Sequence, residues 1–140
     1  MLVDFYHLVA LPVERVLPSI AEKVLASGGR LLVVGEPLDV LDKALWTHSP
    51  DSFLPHGRDN PEVQPILLSA DPKPLNGAAN IALADGVWRD EALGFERAFY
   101  FFDAGRLDDA RSAWRTLKGR DGVDTRYWKQ SDTGRWVQGP

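Results

Sequence analysis

The chain has 140 residues, with 20 acidic and 16 basic side chains, a formal charge of −4, 44% hydrophobic residues and no cysteine. That length suits one domain over residues 1–140, and the lack of cysteine excludes a disulfide framework, a thiolate zinc site and a cysteine nucleophile. No apolar run approaches the roughly 20 residues that span a bilayer, and Met1, Leu2, Val3 and Asp4 lack the basic start of a signal peptide, so a cytoplasmic location is expected.

Leu2 to Val9 is rich in β-branched, aromatic and other apolar residues and predicts a first strand. Val13, Val16, Leu17, Ile20, Ala21, Val24 and Leu25 then recur at the spacing of one helical face. Pro18 is expected to kink that helix or delay its start, because it has no N–H and crowds the preceding turn. Gly28 and Gly29 end it. Arg30 to Val34 is a short apolar strand of the kind covered on both faces. Pro37 to Trp46 predicts a second helix with Leu38, Leu41 and Leu45 toward the core, and Thr47 to Gln64 a long loop. Ile66 to Ser69, Ile81 to Ala84 and the aromatic-rich Phe95 to Phe102 read as further strands. Leu107 to Lys118 reads as a third helix, and Thr125 to Gln130 as a final strand before a turn at Asp132, Thr133 and Gly134. Strands alternating with helices predict a three-layer, Rossmann-like α/β domain with a mainly parallel sheet.

The sheet is expected to lack a phosphate-binding loop. Neither G-x-G-x-x-G nor G-x-x-x-x-G-K-[ST] occurs, and Ala10, Leu11 and Pro12 after the first strand supply no glycine for a phosphate. No cofactor or metal is expected, since His7, His48 and His56 show no H-E-x-x-H or H-x-x-H spacing; His7 reads as a satisfied sheet residue. His48, Ser49, Asp51 and Ser52 contain the residue types of a hydrolase triad, but triads are assembled from separate elements and no G-x-S-x-G elbow is present. Asp51 and Ser52 read as loop-bracing residues.

Charge is uneven: residues 1–103 carry 8 basic and 15 acidic side chains, residues 104–140 carry 8 and 5. The acidic body repels nucleic-acid phosphates, so strong direct nucleic-acid binding is not expected, while the basic C-terminal part suits an anion or an acidic peptide. Two places are unusual for plain structure. Trp46 and Phe53 lie at a helix end and in the loop beyond it, either plugging the core or forming an aromatic patch for a partner. In the third helix Ala110, Ala113 and Leu117 point one way and Arg111, Arg115 and Lys118 another, with Trp114 at the boundary. That is either a solvated basic face or a pocket with an apolar floor and a positive rim.

Phe5-Tyr6-His7-Leu8, Leu41-Asp42, Leu45-Trp46, Asp51-Ser52-Phe53-Leu54-Pro55-His56, Gln64-Pro65-Ile66-Leu67-Leu68, Asn76-Gly77-Ala78, Ala110-Arg111-x-x-Trp114-Arg115 and Tyr127-Trp128, in that order, resemble the chi subunit family of bacterial DNA polymerase III. The resemblance implies a non-catalytic clamp-loader accessory subunit, monomeric or in a heterodimer. It implies one surface for the psi subunit, matched by Trp46, Phe53, Pro55 and His56. It implies a second surface for the acidic C-terminal tail of single-stranded-DNA-binding protein, matched by Arg111, Trp114, Arg115 and Lys118. Where many members carry Lys after the aromatic, this chain has Arg115, which keeps the charge and changes its geometry. Two other readings stay open from the residues: a small nucleotide-dependent or hydrolytic enzyme at the sheet's carboxyl edge, and a single-stranded nucleic-acid binder stacking bases on Trp114 and Trp128.

Overall fold

The computed structural model describes residues 1–49 and 54–139. In chain order the elements are β1 (Leu2–His7), α1 (Val13–Ala26), β2 (Leu31–Val34), α2 (Leu38–Trp46), β3 (His56–Gly57), β4 (Ile66–Ser69), β5 (Asn80–Leu83), β6 (Arg97–Phe102), α3 (Leu107–Leu117), β7 (Asp124–Gln130) and β8 (Trp136–Gln138). Short 3-10 turns occupy Pro61–Val63, Asp90–Gly94 and Ala104–Arg106. The described strands form one eight-stranded sheet in the order β3-β4-β2-β5-β6-β1-β7-β8. Its pairs are parallel apart from β7–β8, which is antiparallel.

Because successive strand side chains point to opposite faces, the central strands supply two cores at once. Tyr6, Leu8, Val33, Leu68, Ala82 and Phe101 pack with Leu17 and Ala21 of α1 and Leu41 and Leu45 of α2. Phe5, Leu32, Val34, Ile81, Tyr100 and Phe102 pack with Ala110, Ala113 and Leu117 of α3 and with Ala92 and Phe95. The expected three layers are therefore present, and all four residues of β2 are fully buried because helices cover both sides. The same parity sends Asp4 to the α1 face beside Tyr6, and His7 to the α3 face beside Phe5.

Several boundaries differ from the sequence reading, each for a local reason. Pro18 sits buried inside an uninterrupted α1. Its missing N–H leaves only the Glu14 carbonyl, in the first turn, without its helical partner, so the helix starts at Val13 with neither delay nor break. Strand β1 stops at His7 and not at Val9, because the N–H groups of Val9, Ala10 and Leu11 all turn to one acceptor, Gln130 Oε1, at 3.1, 2.9 and 2.9 Å. The expected loop over 47–64 contains β3, which adds a parallel strand to β4 at the sheet edge. Thr125 to Gln130 is not the last strand. Asp132, Thr133 and Gly134, the glycine at φ +86°, turn the chain back so that Trp136 pairs with Gln130. The proposed bracing residues Asp51 and Ser52, and Phe53, lie outside the described residues.

Candidate functional site

Helix α3 is amphipathic: Ala110, Ala113 and Leu117 are buried while Arg111, Arg115 and Lys118 are exposed. Trp114 falls between the two faces. Its indole meets Phe5 edge-on at 5.1 Å and Tyr127 at 5.9 Å, and Lys118 Nζ lies 5.7 Å from its centre. Between this helix and the ends of β1 and β7 lies an open cavity of about 490 Å³. Arg111, Trp114 and Arg115 line it from the helix, with His7, Tyr127 and Lys129 facing them from the strands and Phe102 below. Among the described residues no carboxylate lines it. Lys118, by contrast, lies over the Trp114 ring and is not among the lining residues.

The strand residues of this cavity escaped the sequence reading, because β1 and β7 become neighbours only through the parallel pairing that sets His7 opposite Lys129. His7 stacks on Phe102 and its Nδ1 is hydrogen-bonded to the Tyr127 hydroxyl at 2.8 Å. Burial lowers the His7 pKa from its ordinary value; the nearby Lys129 and Arg111 charges add to this and Asp103 opposes it. The imidazole is thus disposed to be neutral in the free protein, beside cations and an aromatic floor. The arrangement suits a carboxylate attached to an apolar or aromatic group.

The second group of expected site residues lies on the other helical layer. Trp46, at the end of α2, is 58% exposed, and its ring meets His56 edge-on at 4.9 Å. The His56 side chain is itself fully enclosed, with Nε2 3.1 Å from Asp42 Oδ1 and Nδ1 against the Leu54 carbonyl. It supports Trp46 from beneath and presents little to a partner; Pro55 beside it is part-exposed. Phe53 cannot be placed with them, lying outside the described residues.

A crevice of about 560 Å³ opens beyond the carboxyl ends of β1, β5 and β6, the place where open parallel sheets bind ligands. Here the chemistry runs against a phosphate. The three consecutive N–H groups that an anion needs are taken by Gln130 Oε1. Glu14, Asp85 and Asp103 outnumber Arg106 on its walls, and Asp85 is held by Arg89 through two bonds of 2.9 Å. The three histidines stand apart: His7 on Tyr127, His48 on Glu22 and His56 on Asp42.

One further cluster was not anticipated from sequence. Asp4, fully buried, accepts from Arg97 Nε and Nη2 at 3.1 and 2.7 Å, from Arg126 Nε and Nη2 at 2.7 and 3.1 Å, and from Trp128 Nε1 at 3.0 Å. Burial alone would raise its pKa, but the bonds from Arg126, Trp128 and Arg97 outweigh that effect and hold the carboxyl below the ordinary aspartate value.

The family model for DNA polymerase III chi subunit, HolC, matches residues 1–124, from β1 through α3 to the first residue of β7. Among curated proteins no match is found. The match includes Trp46, Pro55 and His56 at one surface and Arg111, Trp114, Arg115 and Lys118 at the other. With a three-layer sheet that has no phosphate loop and two candidate surfaces on separate helical layers, the chain belongs to the DNA polymerase III chi subunit family and is an accessory component of DNA replication.

Proposed function

We propose that the protein is a non-catalytic adaptor whose α3 cavity receives the acidic C-terminal tail of single-stranded-DNA-binding protein, and whose surface around Trp46 receives the psi subunit of the clamp loader. The observation that carries the first half is the cavity's lining: Arg111, Arg115 and Lys129 around an aromatic floor, without a carboxylate. Arg111 and Arg115 pair with tail carboxylates, Trp114 and Tyr127 flank a terminal apolar or aromatic side chain, and Lys129 opposes the chain-terminal carboxylate. Lys118 contributes by packing on Trp114. The second half is supported by an exposed indole braced by a buried histidine, the geometry of an interface anchor. Both roles work by tethering. One short disordered tail binds at roughly micromolar strength, because few anchors must offset its ordering, and several tails on an oligomeric partner raise the effective strength by avidity.

The test is a fluorescence-anisotropy titration of the protein into a labelled acidic tail peptide, beside the same peptide lacking its last residue. Saturable, salt-sensitive binding that is lost on truncation is the expected result. Equal binding of both peptides, or none at low salt, overturns the tail-binding role.

A further inference from the structure

The sheet face opposite α3 carries a second basic groove, between α1 and the strands β6, β1, β7 and β8. Two cavities of about 460 and 240 Å³ share Tyr6, Ile20 and Lys23 and run on from each other along α1. From Arg15 to Val24, the lining residues at its two ends, the helix covers about 14 Å at 1.5 Å per residue. Among the described residues no carboxylate lines either cavity, whereas Arg15, Lys23 and Arg97 do, in a chain whose net charge is −4. Glu22, on the same helix, is turned away to His48.

Three features make this more than a solvated basic strip. Arg97 and Arg126 share the single buried charge of Asp4, so the pair keeps a net positive charge. Each gives Nε and Nη2 to Asp4, the Arg97 guanidinium also interacts with the Tyr6 hydroxyl, and the side chains are 38% and 37% exposed. Their donors are thereby held in place before any ligand arrives. Secondly, Trp128 and Trp136 are part-exposed along the groove. Trp128 lies within 13° of the Tyr6 plane with the Arg126 guanidinium 5.6 Å from its centre, and Trp136 stands edge-on to Tyr6 at 5.0 Å. Thirdly, Gln130 lines the groove, 1% exposed, and its Nε2 has no acceptor among the described residues although its Oε1 is fully used. Arg126, Trp128, Gln130 and Trp136 all follow residue 124, where the family match ends.

We infer that this groove binds single-stranded nucleic acid, its phosphates meeting Arg15, Lys23, Arg97 and Arg126 and its bases stacking on Trp128 and Trp136. Cations spread along a track, interleaved with aromatic rings, are what a sugar–phosphate strand with regularly spaced bases requires. An acidic peptide has no use for two indoles unless it carries aromatic residues at matching intervals. A duplex keeps its bases stacked inside, away from the rings. Net acidity does not forbid the contact, since exposed charges more than about 10 Å away are largely screened at 0.1 M salt. The inference does not rest on the adaptor role, because the α3 cavity lies on the opposite side of the sheet.

The experiment titrates the full chain into a labelled oligothymidylate of about 10 nucleotides at salt between about 50 and 200 mM, reading anisotropy and tryptophan fluorescence. The same titration uses a duplex of equal length and a glutamate-rich peptide. Arg15→Glu/Lys23→Glu changes two exposed side chains outside the Asp4 cluster, Trp136→Ala removes a ring, and Arg111→Ala reports the other face; circular dichroism confirms folding, with Lys23→Gln as the milder variant. The expected result is salt-sensitive oligonucleotide binding with quenching, weakened about tenfold or more by the double charge reversal and by Trp136→Ala and unchanged by Arg111→Ala. No binding by the folded protein overturns the inference. So does loss of binding with Arg111→Ala alone, or a groove that takes the glutamate-rich peptide as well as the oligonucleotide.

Discussion

Asp4 and Arg126 are direct partners in register on the parallel strands β1 and β7, and Arg126 Nε donates to Asp4 Oδ1 at 2.7 Å. With Arg97 from β6 on the other side, this pair fastens the three strands together.

Asp4→Asn therefore leaves two guanidiniums facing a neutral amide, and destabilises the fold by about 3 kcal/mol. Urea denaturation of the variant measures this as a lower midpoint at unchanged slope. Because the folded Asp4 pKa is depressed, its contribution is present above the ordinary value of 3.8 and is lost as the pH falls through the folded value. The wild type consequently loses stability on acidification at pH values where the variant has no such group to titrate.

Gln130→Ala removes the acceptor shared by the N–H groups of Val9, Ala10 and Leu11. Gln130 is buried, but Val9 and Ala10 are exposed and water replaces some of the bonds, so a cost of about 2 kcal/mol is expected. Amide hydrogen exchange at these three residues should accelerate ahead of the rest of β1. Millimolar nucleotide should leave the melting temperature of the wild type unmoved, since Gln130 already occupies the place of a phosphate.

Arg111→Ala should weaken tail-peptide binding by about tenfold or more and leave psi binding intact, and Trp46→Ala should do the reverse. The two residues sit on helices in different layers of the sandwich, so their effects are independent unless the fold is lost. Paired titrations with both partners check this; impairment of both partners by either folded variant contradicts two separate surfaces.

Tail binding should tighten as the pH falls from about 7.5 to about 5.5. His7 is held below its ordinary value of 6.5 by burial, with help from Lys129 and Arg111, and a bound carboxylate favours the imidazolium, so binding takes up a proton. The fold has the opposite sign: the depressed folded pKa gives a contribution present above 6.5 and lost as the pH falls through the folded value. His7→Gln should flatten the binding profile over this range; an unchanged slope would assign it to the peptide or to another group.

The sequence by itself determined the layers and the basic helix. The apolar runs Leu31–Val34 and Ile66–Ser69 read as strands, the first of the kind covered on both sides, and the period of Ala110, Ala113 and Leu117 fixes which side of α3 carries Arg111 and Arg115. These are signals between near neighbours in the chain, and local geometry is enough to read them. What faces those arginines was decided only by tertiary structure. His7 and Lys129 share a cavity, and Asp4 meets Arg97 and Arg126, because β1 inserts between β6 and β7 in one particular register. A slip of one residue would have sent each of these side chains to the other face. Strand β8, the capture of the loop by Gln130 and the groove along α1 arise in the same way. The Gln130 contact depends on residues about 120 positions apart meeting side by side, and β8, although it follows a local turn, reaches the groove only because β7 lies beside β1.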